Sequence, residues 1–308
     1  MKPSTSASTS VFLDIRGLKY HVRTWGSVKA PKLFLLHGWM DVSASFQFLV
    51  DALQQEWHVI APDWRGFGLT EWTRADCYWY PDYFADLDCL LDHFQPDEPV
   101  NIAGHSMGGN VLCIYSGVRP QRIGRLINME GLSIRDNPSD EAPGRYAKWL
   151  DQLKHGSFGT REYGSFEDLA ARLSAGNCRL SEERAQFLAR HWGKANDDGR
   201  IVLRSDPRHK IVNPTLYHAE EAIACVRRIS APILWVTGED SDIPKRSRVP
   251  LEEMVRRKSF VARLTEACIE DAGHMLHHDQ PERLAQIIEK FLQPAAQSAD
   301  SRHGSTLE

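Results

Sequence analysis

No stretch of the chain approaches the roughly 20 consecutive apolar residues that a membrane-spanning helix needs, so no bilayer span is expected. The first ten residues are polar and rich in Ser and Thr. They lack the apolar centre of a secretory signal, so the expected location is cytoplasmic, the other reading being a mature chain whose signal has been removed. No C-x-x-C pair occurs among Cys77, Cys89, Cys113, Cys178, Cys225 and Cys268, and none of them clusters with histidine at zinc-ligand spacing. Reduced, buried thiols are therefore expected, with no metal and no cofactor. An excess of basic charge is also missing: 37 Lys and Arg stand against 41 Asp and Glu, a formal net charge of −4. That balance leaves no electrostatic footprint for nucleic acid or an anionic membrane surface. Internal repeats, heptads and low-complexity segments outside the termini are absent, so oligomeric state is not legible. The expected partner is a small molecule.

Strand-like and helix-like patterns alternate through the first half. Val11 to Ile15 and Lys19 to Trp25 flank Arg16-Gly17 and predict a hairpin. Strands are expected at Lys32 to Leu36, His58 to Ala61, Val100 to Ala103 and Arg125 to Met129. Helices are expected near Ser45 to Leu53, Tyr80 to Phe94 and Gly109 to Gly117. This order predicts an α/β fold: a mostly parallel sheet flanked by helices, with ligands at the carboxyl ends of the strands. From Ser133 to about Arg228 no clear strand is seen. Helical patterns occupy Arg145 to Leu153, Phe166 to Leu173, Ser181 to His191 and His218 to Arg227. The segment 133–228 is thus expected to be a helical cap inserted into a core formed by 11–132 and 229–293. Its aromatics Tyr146, Trp149, Phe158, Trp192 and Tyr217 either line a pocket or hold the cap together. The sheet resumes at Pro232 to Thr237 and at Ala267 to Ile269, and a helix from Pro281 to Leu292 closes the core. Residues 1–10 and 294–308 are expected to be disordered tails.

Chemistry concentrates at loops that follow strands. Asn101-Ile-Ala-Gly104-His105-Ser106-Met107-Gly108-Gly109 reads as a strand, a very tight turn and a helix start. Glycines two residues to either side of Ser106 let strand and helix pass closely, and the turn lifts the hydroxyl clear of the sheet. Backbone N–H groups of the new helix then point at whatever that hydroxyl attacks. A serine hydroxyl needs a base near neutral pH. His274, in Asp271-Ala-Gly-His274 after the last strand, is the candidate. His277 and His278 are expected to be solvated or packed, and the ring of His105 is expected to point away from the site.

Four segments, His37-Gly38-Trp39, Asp63-Trp64-Arg65-Gly66-Phe67-Gly68, Gly104-His-Ser-Met-Gly-Gly109 and Asp271-Ala-Gly-His274, occur in the order seen in the α/β-hydrolase superfamily. The chain resembles that superfamily over roughly Val11 to Leu292, and in particular its capped bacterial esterases and the serine hydrolase-like proteins. The resemblance implies an α/β-hydrolase fold with Ser106 as nucleophile, His274 as general base, and an oxyanion hole from the N–H groups of Met107 and Trp39. It assigns the Asp63–Gly68 segment structural work and Asp63 and Arg65 no catalytic role; Trp64 and Phe67 are expected to pack in the core, the other reading being that they border the pocket. The third triad member stays open. Many members carry an aspartate three residues after the glycine that ends the strand following the cap; here that position is Ser241, between Asp240 and Asp242. Asn128-Met129-Glu130-Gly131 is similar to the segment that supplies the glutamate of haloalkane dehalogenases, which favours Glu130, with Asp242 and Asp240 as alternatives. A serine nucleophile argues against dehalogenase and epoxide hydrolase chemistry, as does Met107 where dehalogenases place a halide-binding tryptophan. The implied activity is metal-free hydrolysis of a carboxylic ester with an apolar acyl part. A carbon–carbon hydrolase and a non-catalytic ligand receptor are the alternatives.

Overall fold

The computed structural model describes residues 5–156 and 161–293. Strands β1 (Ser8–Ile15) and β2 (Leu18–Trp25) form the opening hairpin. Arg16 and Gly17 turn it with positive φ, and the register runs from Ser8 opposite Trp25 to Ile15 opposite Leu18. Ser8–Ser10 thus belong to a strand and not to a disordered tail, because β2 supplies hydrogen-bonding partners along its whole length. Next come β3 (Lys32–Leu36), α1 (Gln47–Ala52), β4 (His58–Pro62), α2 (Tyr80–Phe94), β5 (Val100–His105), α3 (Met107–Val118) and β6 (Ile123–Met129).

The inserted segment contributes α4 (Ala142–His155), α5 (Phe166–Gly176), α6 (Glu182–Trp192), β7 (Gly193–Ala195), β8 (Ile201–Leu203) and α7 (Ala219–Val226). The core resumes with β9 (Ile233–Gly238), α8 (Ile243–Arg246), α9 (Leu251–Ser259), β10 (Leu264–Ile269), α10 (Leu276–Asp279) and α11 (Pro281–Leu292). One eight-stranded sheet results, ordered β1-β2-β4-β3-β5-β6-β9-β10. The hairpin and its junction with β4 are antiparallel, and every other pairing is parallel.

The parallel strands are apolar on both faces because helices cover both. Phe34, Leu36, Ile60, Ile102, Leu126, Ile233 and Trp235 pack toward α2 and α3. Their neighbours Leu33, Leu35, Val59, Ala103, Ile127, Leu234 and Val236 face α1 and α11. This period-2 division is the simplest consequence of strand geometry.

The insertion has a small core of its own: Leu169, Ala170, Leu180, Ala185, Leu188, Ala189 and Ile201. Ser165 and Ser181 cap α5 and α6 by accepting from the N–H groups of Asp168 and Arg184. The expectation of no strand here is corrected by the β7–β8 ribbon, which at three residues per strand is too short to show a period. Of the segment's aromatics, Tyr146 is half exposed and Phe158 lies outside the described residues. Burial pushes the Tyr217 phenol up to about 12. Trp192 donates its indole N–H to Ser45 Oγ at 3.0 Å. The cysteines are unpaired, but only Cys113 is fully buried, while Cys178 and Cys268 are exposed, so burial is corrected for those two.

α9 is not expected from the sequence, and of its apolar residues Leu251 and Val255 stay exposed while Met254 packs against the core. A buried guanidinium anchors it. Arg257 pairs with Glu253 at 2.8 Å and donates to the carbonyls of Leu132 and Ile134 at 3.0 and 2.8 Å.

One joint ties the insertion to the core loop Asp63–Gly68. The His209 ring is stacked between Phe67 and Tyr78, with centroids 3.8 and 3.6 Å away. Gly68 N–H donates to Arg204 O at 2.7 Å, and Asp206 N–H to Gly66 O at 2.8 Å. Burial holds His209 neutral, with its pKa lowered to about 3, and burial next to Arg23 lowers His191 to about 4. Both values lie below that of an unfolded histidine, near 6.5, so below that pH the unfolded chain binds more protons. The stability these two neutral histidines contribute is therefore complete above about pH 6.5 and declines as pH falls toward 4. Thermal melts of wild type and His209→Gln across pH 4–7.5 check this: the decline is expected to be shallower in the variant. An equal slope in both would remove His209 from the account.

Candidate active site

Ser106 sits between β5 and α3 with φ +51° and ψ −111°, a conformation costing about 1–3 kcal/mol for a residue with a Cβ. Its neighbours make the turn possible. A Cβ on Gly108 would stand 2.3 Å from Leu36 O, and one on Gly104 would stand 2.6 Å from the Gly108 backbone. The turn is held from both sides: Ser106 N–H donates to Met129 O at 2.8 Å, and Asn110 N–H donates to Ser106 O at 2.9 Å. Among the described residues, Met40, Glu130, Leu132 and Asp271 also have positive φ. With Ser106 they place five of the seven strained non-glycine residues in loops that follow β3, β5, β6 and β10. Strain of this kind clusters where the surrounding structure fixes side chains for a task.

The loop after β3 lies directly against the elbow. Gly38 approaches so closely that a Cβ there would be 3.2 Å from Ser106 Cβ. His37 locks this loop: its Nδ1–H donates to Gly38 O at 2.7 Å and its Nε2 accepts from Trp64 N–H at 2.9 Å. The Trp64 indole N–H returns to His37 O at 3.0 Å. Trp39 follows with its side chain half exposed. Neither Trp39 N–H nor Met107 N–H has a protein acceptor among the described residues, so both remain able to donate to a ligand.

Glu130 is buried at the end of β6. Its Oε1 accepts from Gly238 N–H at 2.8 Å, and its Oε2 accepts from the Ser241 hydroxyl at 2.5 Å. His274 Nδ1 stands 3.4 Å from the same Oε2. The structure therefore brings Glu130 and His274 together across the sheet. Asp240 instead pairs with Arg179 at 2.5 Å, and Asp242 lies 3.5 Å from Arg246. Neither aspartate has a hydrogen bond to His274 among the described residues. Ser241, at the position where an aspartate is common, donates to the glutamate on the adjacent strand. Sequence reasoning saw that serine only as a gap.

The Ser106 hydroxyl makes no hydrogen bond among the described residues. Such distances are often long without substrate and shorten on binding. His105 departs from expectation. Its ring does not point away but supports the histidine loop: Nε2–H donates to His274 O at 2.8 Å, and the two rings are 4.6 Å apart. Burial, reinforced by His277 and His274, holds its pKa well below the usual histidine value, so it is neutral.

Asp63 and Arg65 have structural partners. Asp63 accepts from His21, from Ser43 N–H and from Leu69 N–H at 2.6–2.9 Å. Arg65 clamps Asp86 with two bonds of 2.5 Å. Trp64 and Phe67 are fully buried core residues.

Comparison with known proteins places this arrangement. The family model described as the alpha/beta hydrolase family matches residues 33–287. The chain belongs to the alpha/beta hydrolase family. Among curated relatives, this hydrolase is 26% identical over 279 residues to a serine hydrolase-like protein of Danio rerio, covering 88% of this chain and 84% of that one. It is 23% identical over 291 residues to serine hydrolase-like protein 2 of Homo sapiens, with 88% and 90% covered. Among solved structures, the thioesterase domain from the curacin biosynthetic pathway superposes with a TM-score of 0.82 at 24% identity, over 92% of this chain and 99% of that one. An esterase from Mycobacterium tuberculosis superposes with a TM-score of 0.69 at 20% identity, over 93% and 91%. At these identities the structural likeness speaks for the fold. The chain is accordingly an α/β hydrolase with serine hydrolase-like relatives. Among the described residues no helix is long and apolar enough to cross a membrane.

Proposed function

We propose that this hydrolase cleaves carboxylic esters through an acyl-enzyme on Ser106. The observation that carries the reading is the approach of His274 Nδ1 to the buried Glu130, in a loop that His105, the residue before the strained Ser106, holds against the elbow. In this reading His274 Nε2 takes the Ser106 proton as Oγ attacks the acyl carbon. Negative charge develops on the former carbonyl oxygen and is met by the N–H groups of Trp39 and Met107, each such donor being worth roughly 10²–10³ in rate. Imidazolium His274 is stabilised by Glu130 and returns its proton to the leaving alcohol. Water then enters by the same route: His274 removes its proton, hydroxide attacks the acyl group, and the acid leaves as Ser106 regains a proton.

The segment 133–228 acts as a cap on the core of 11–132 and 229–293. Support comes from its bonds to loops at the carboxyl edge of the sheet: Trp192 to Ser45, Asn177 to Asp279, Arg184 to His278 O and Arg179 to Asp240. A small ester with an apolar acyl part is the substrate class such a covered serine would take.

A p-nitrophenyl ester series from acetate to laurate tests the assignment, alongside a vinylogous diketone. Saturable release of nitrophenolate, with one fluorophosphonate label per chain on Ser106, is expected. Cleavage of the diketone without ester turnover would make it a carbon–carbon hydrolase. Absence of both turnover and labelling would leave a binding protein on a hydrolase fold.

A further inference from the structure

Directly behind the catalytic loops lies a cluster that the proposed ester chemistry does not use. Asp41 is 2% exposed, His277 0% and His278 2%. One donor atom from each lies within 4.8 Å of the other two. Among the described residues, four of their polar atoms are buried without a hydrogen-bond partner: Asp41 Oδ2, both nitrogens of His277, and His278 Nε2. Native structures rarely leave a single buried polar atom unpaired, and a carboxylate oxygen is among the costliest to strand. A cation would take one lone pair each from Asp41 Oδ2, one nitrogen of His277 and His278 Nε2, the other His277 nitrogen keeping its proton.

A hydrogen-bonded Asp41–His277 pair does not account for them. Asp41 Oδ2 and His277 Nε2 are 3.5 Å apart, and closing that bond would still leave His277 Nδ1 and His278 Nε2 without a partner among the described residues. The separation matches the edge of a tetrahedron, about 3.4 Å for metal–ligand bonds near 2.1 Å. We propose that Asp41, His277 and His278 form a binding site for a divalent transition-metal cation, with zinc as its representative.

The donor chemistry sets the class. Two imidazoles and one carboxylate suit zinc and its neighbours, while calcium and magnesium favour all-oxygen shells. The surroundings suit a structural ion. The other Asp41 oxygen accepts from Val42 N–H at 2.8 Å and from the Ser45 hydroxyl, which itself accepts from Trp192, so the carboxylate is oriented. Phe46 and His105 flank His277, with ring centroids 5.1 and 4.6 Å away, and exclude water. A cavity of about 300 Å³, lined by Leu180, Leu188, Trp192, Met275 and His278 among others, borders the third ligand. Asp41 belongs to the loop of Trp39, and His277 and His278 follow His274. A cation there ties the loop of the proposed oxyanion donor to the loop of the proposed base. The cation binds in the resting protein and takes no part in bond making, so the site stands or falls apart from the ester reading.

The test uses the full chain, stripped with chelator and then dialysed against zinc chloride. One zinc per chain and a raised Tm are expected. His278→Gln and Asp41→Asn are each expected to weaken zinc binding by at least about 100-fold, since loss of a ligand exceeds the 10–100-fold cost of losing an outer-shell partner. Cobalt replacement in the wild-type chain keeps the test decisive if a variant fails to fold. Four-coordinate d–d bands without thiolate charge transfer support an Asp-His-His site. No stoichiometric zinc in wild type, full retention by both variants, or a thiolate band would each overturn it.

Discussion

Ser106→Ala lowers kcat for ester hydrolysis by up to about 10⁶-fold and abolishes fluorophosphonate labelling, while Tm stays within a few degrees of wild type. The expected loss is this large because no other group at the elbow can carry the acyl chain. Alanine has the same Cβ as serine, so the strain of the positive φ is unchanged, and the bonds that the backbone N–H of residue 106 makes to Met129 O and its carbonyl accepts from Asn110 N–H remain. What is lost is the nucleophile and not the turn. A residual rate above that of water is expected from the two backbone donors, which the substitution leaves in place. Turnover near that of wild type would end the acyl-enzyme mechanism and with it the proposed function. A loss of activity accompanied by a collapse in Tm would instead mean the variant had been misfolded, and single-site labelling of the wild-type chain would then decide.

Glu130→Gln is expected to cost about 10⁴-fold in kcat, the scale seen when a triad acid becomes an amide. Glu130 receives the Gly238 N–H and the Ser241 hydroxyl and faces His274 Nδ1. All three need an acceptor, and the amide group of glutamine must turn a donor toward one of them. The imidazolium that forms when Ser106 is deprotonated then also lacks its counter-charge. Asp242→Asn and Asp240→Asn are expected to change kcat by less than about twofold, because their partners are surface arginines. The reverse pattern, an active Glu130→Gln and an inactive Asp242→Asn, would move the acid to the loop after β9.

Local patterns were legible because they are written in consecutive residues. The run Lys32 to Leu36 reads as a buried strand and becomes β3, with alternate side chains entering the two cores. Tyr80 to Phe94 shows a helical stripe and is α2 over that same range. The elbow needs small residues at Gly104 and Gly108, and the sequence displays them. Two elements escape local reading: α9, whose Leu251 and Val255 stay exposed and which Arg257 anchors, and the β7–β8 ribbon, which is too short to show a period.

The identity of the fold, the serine turn and the order of the motifs around it were therefore determined by the sequence itself. Strand period, helix period and turn sterics act over a few residues and leave their mark in the chain. Only the tertiary structure decided which carboxylate faces His274, since Glu130, Asp240 and Asp242 are all acceptable loop residues and differ in what lies across the sheet from them. It alone also revealed that Asp41 meets His277 and His278. Metal-ligand spacing is read along the chain, whereas this cluster exists only because β3 and β10 deliver their following loops to the same edge. Pairing between distant strands leaves no periodic trace, so the partners of a buried charge have to be found in space.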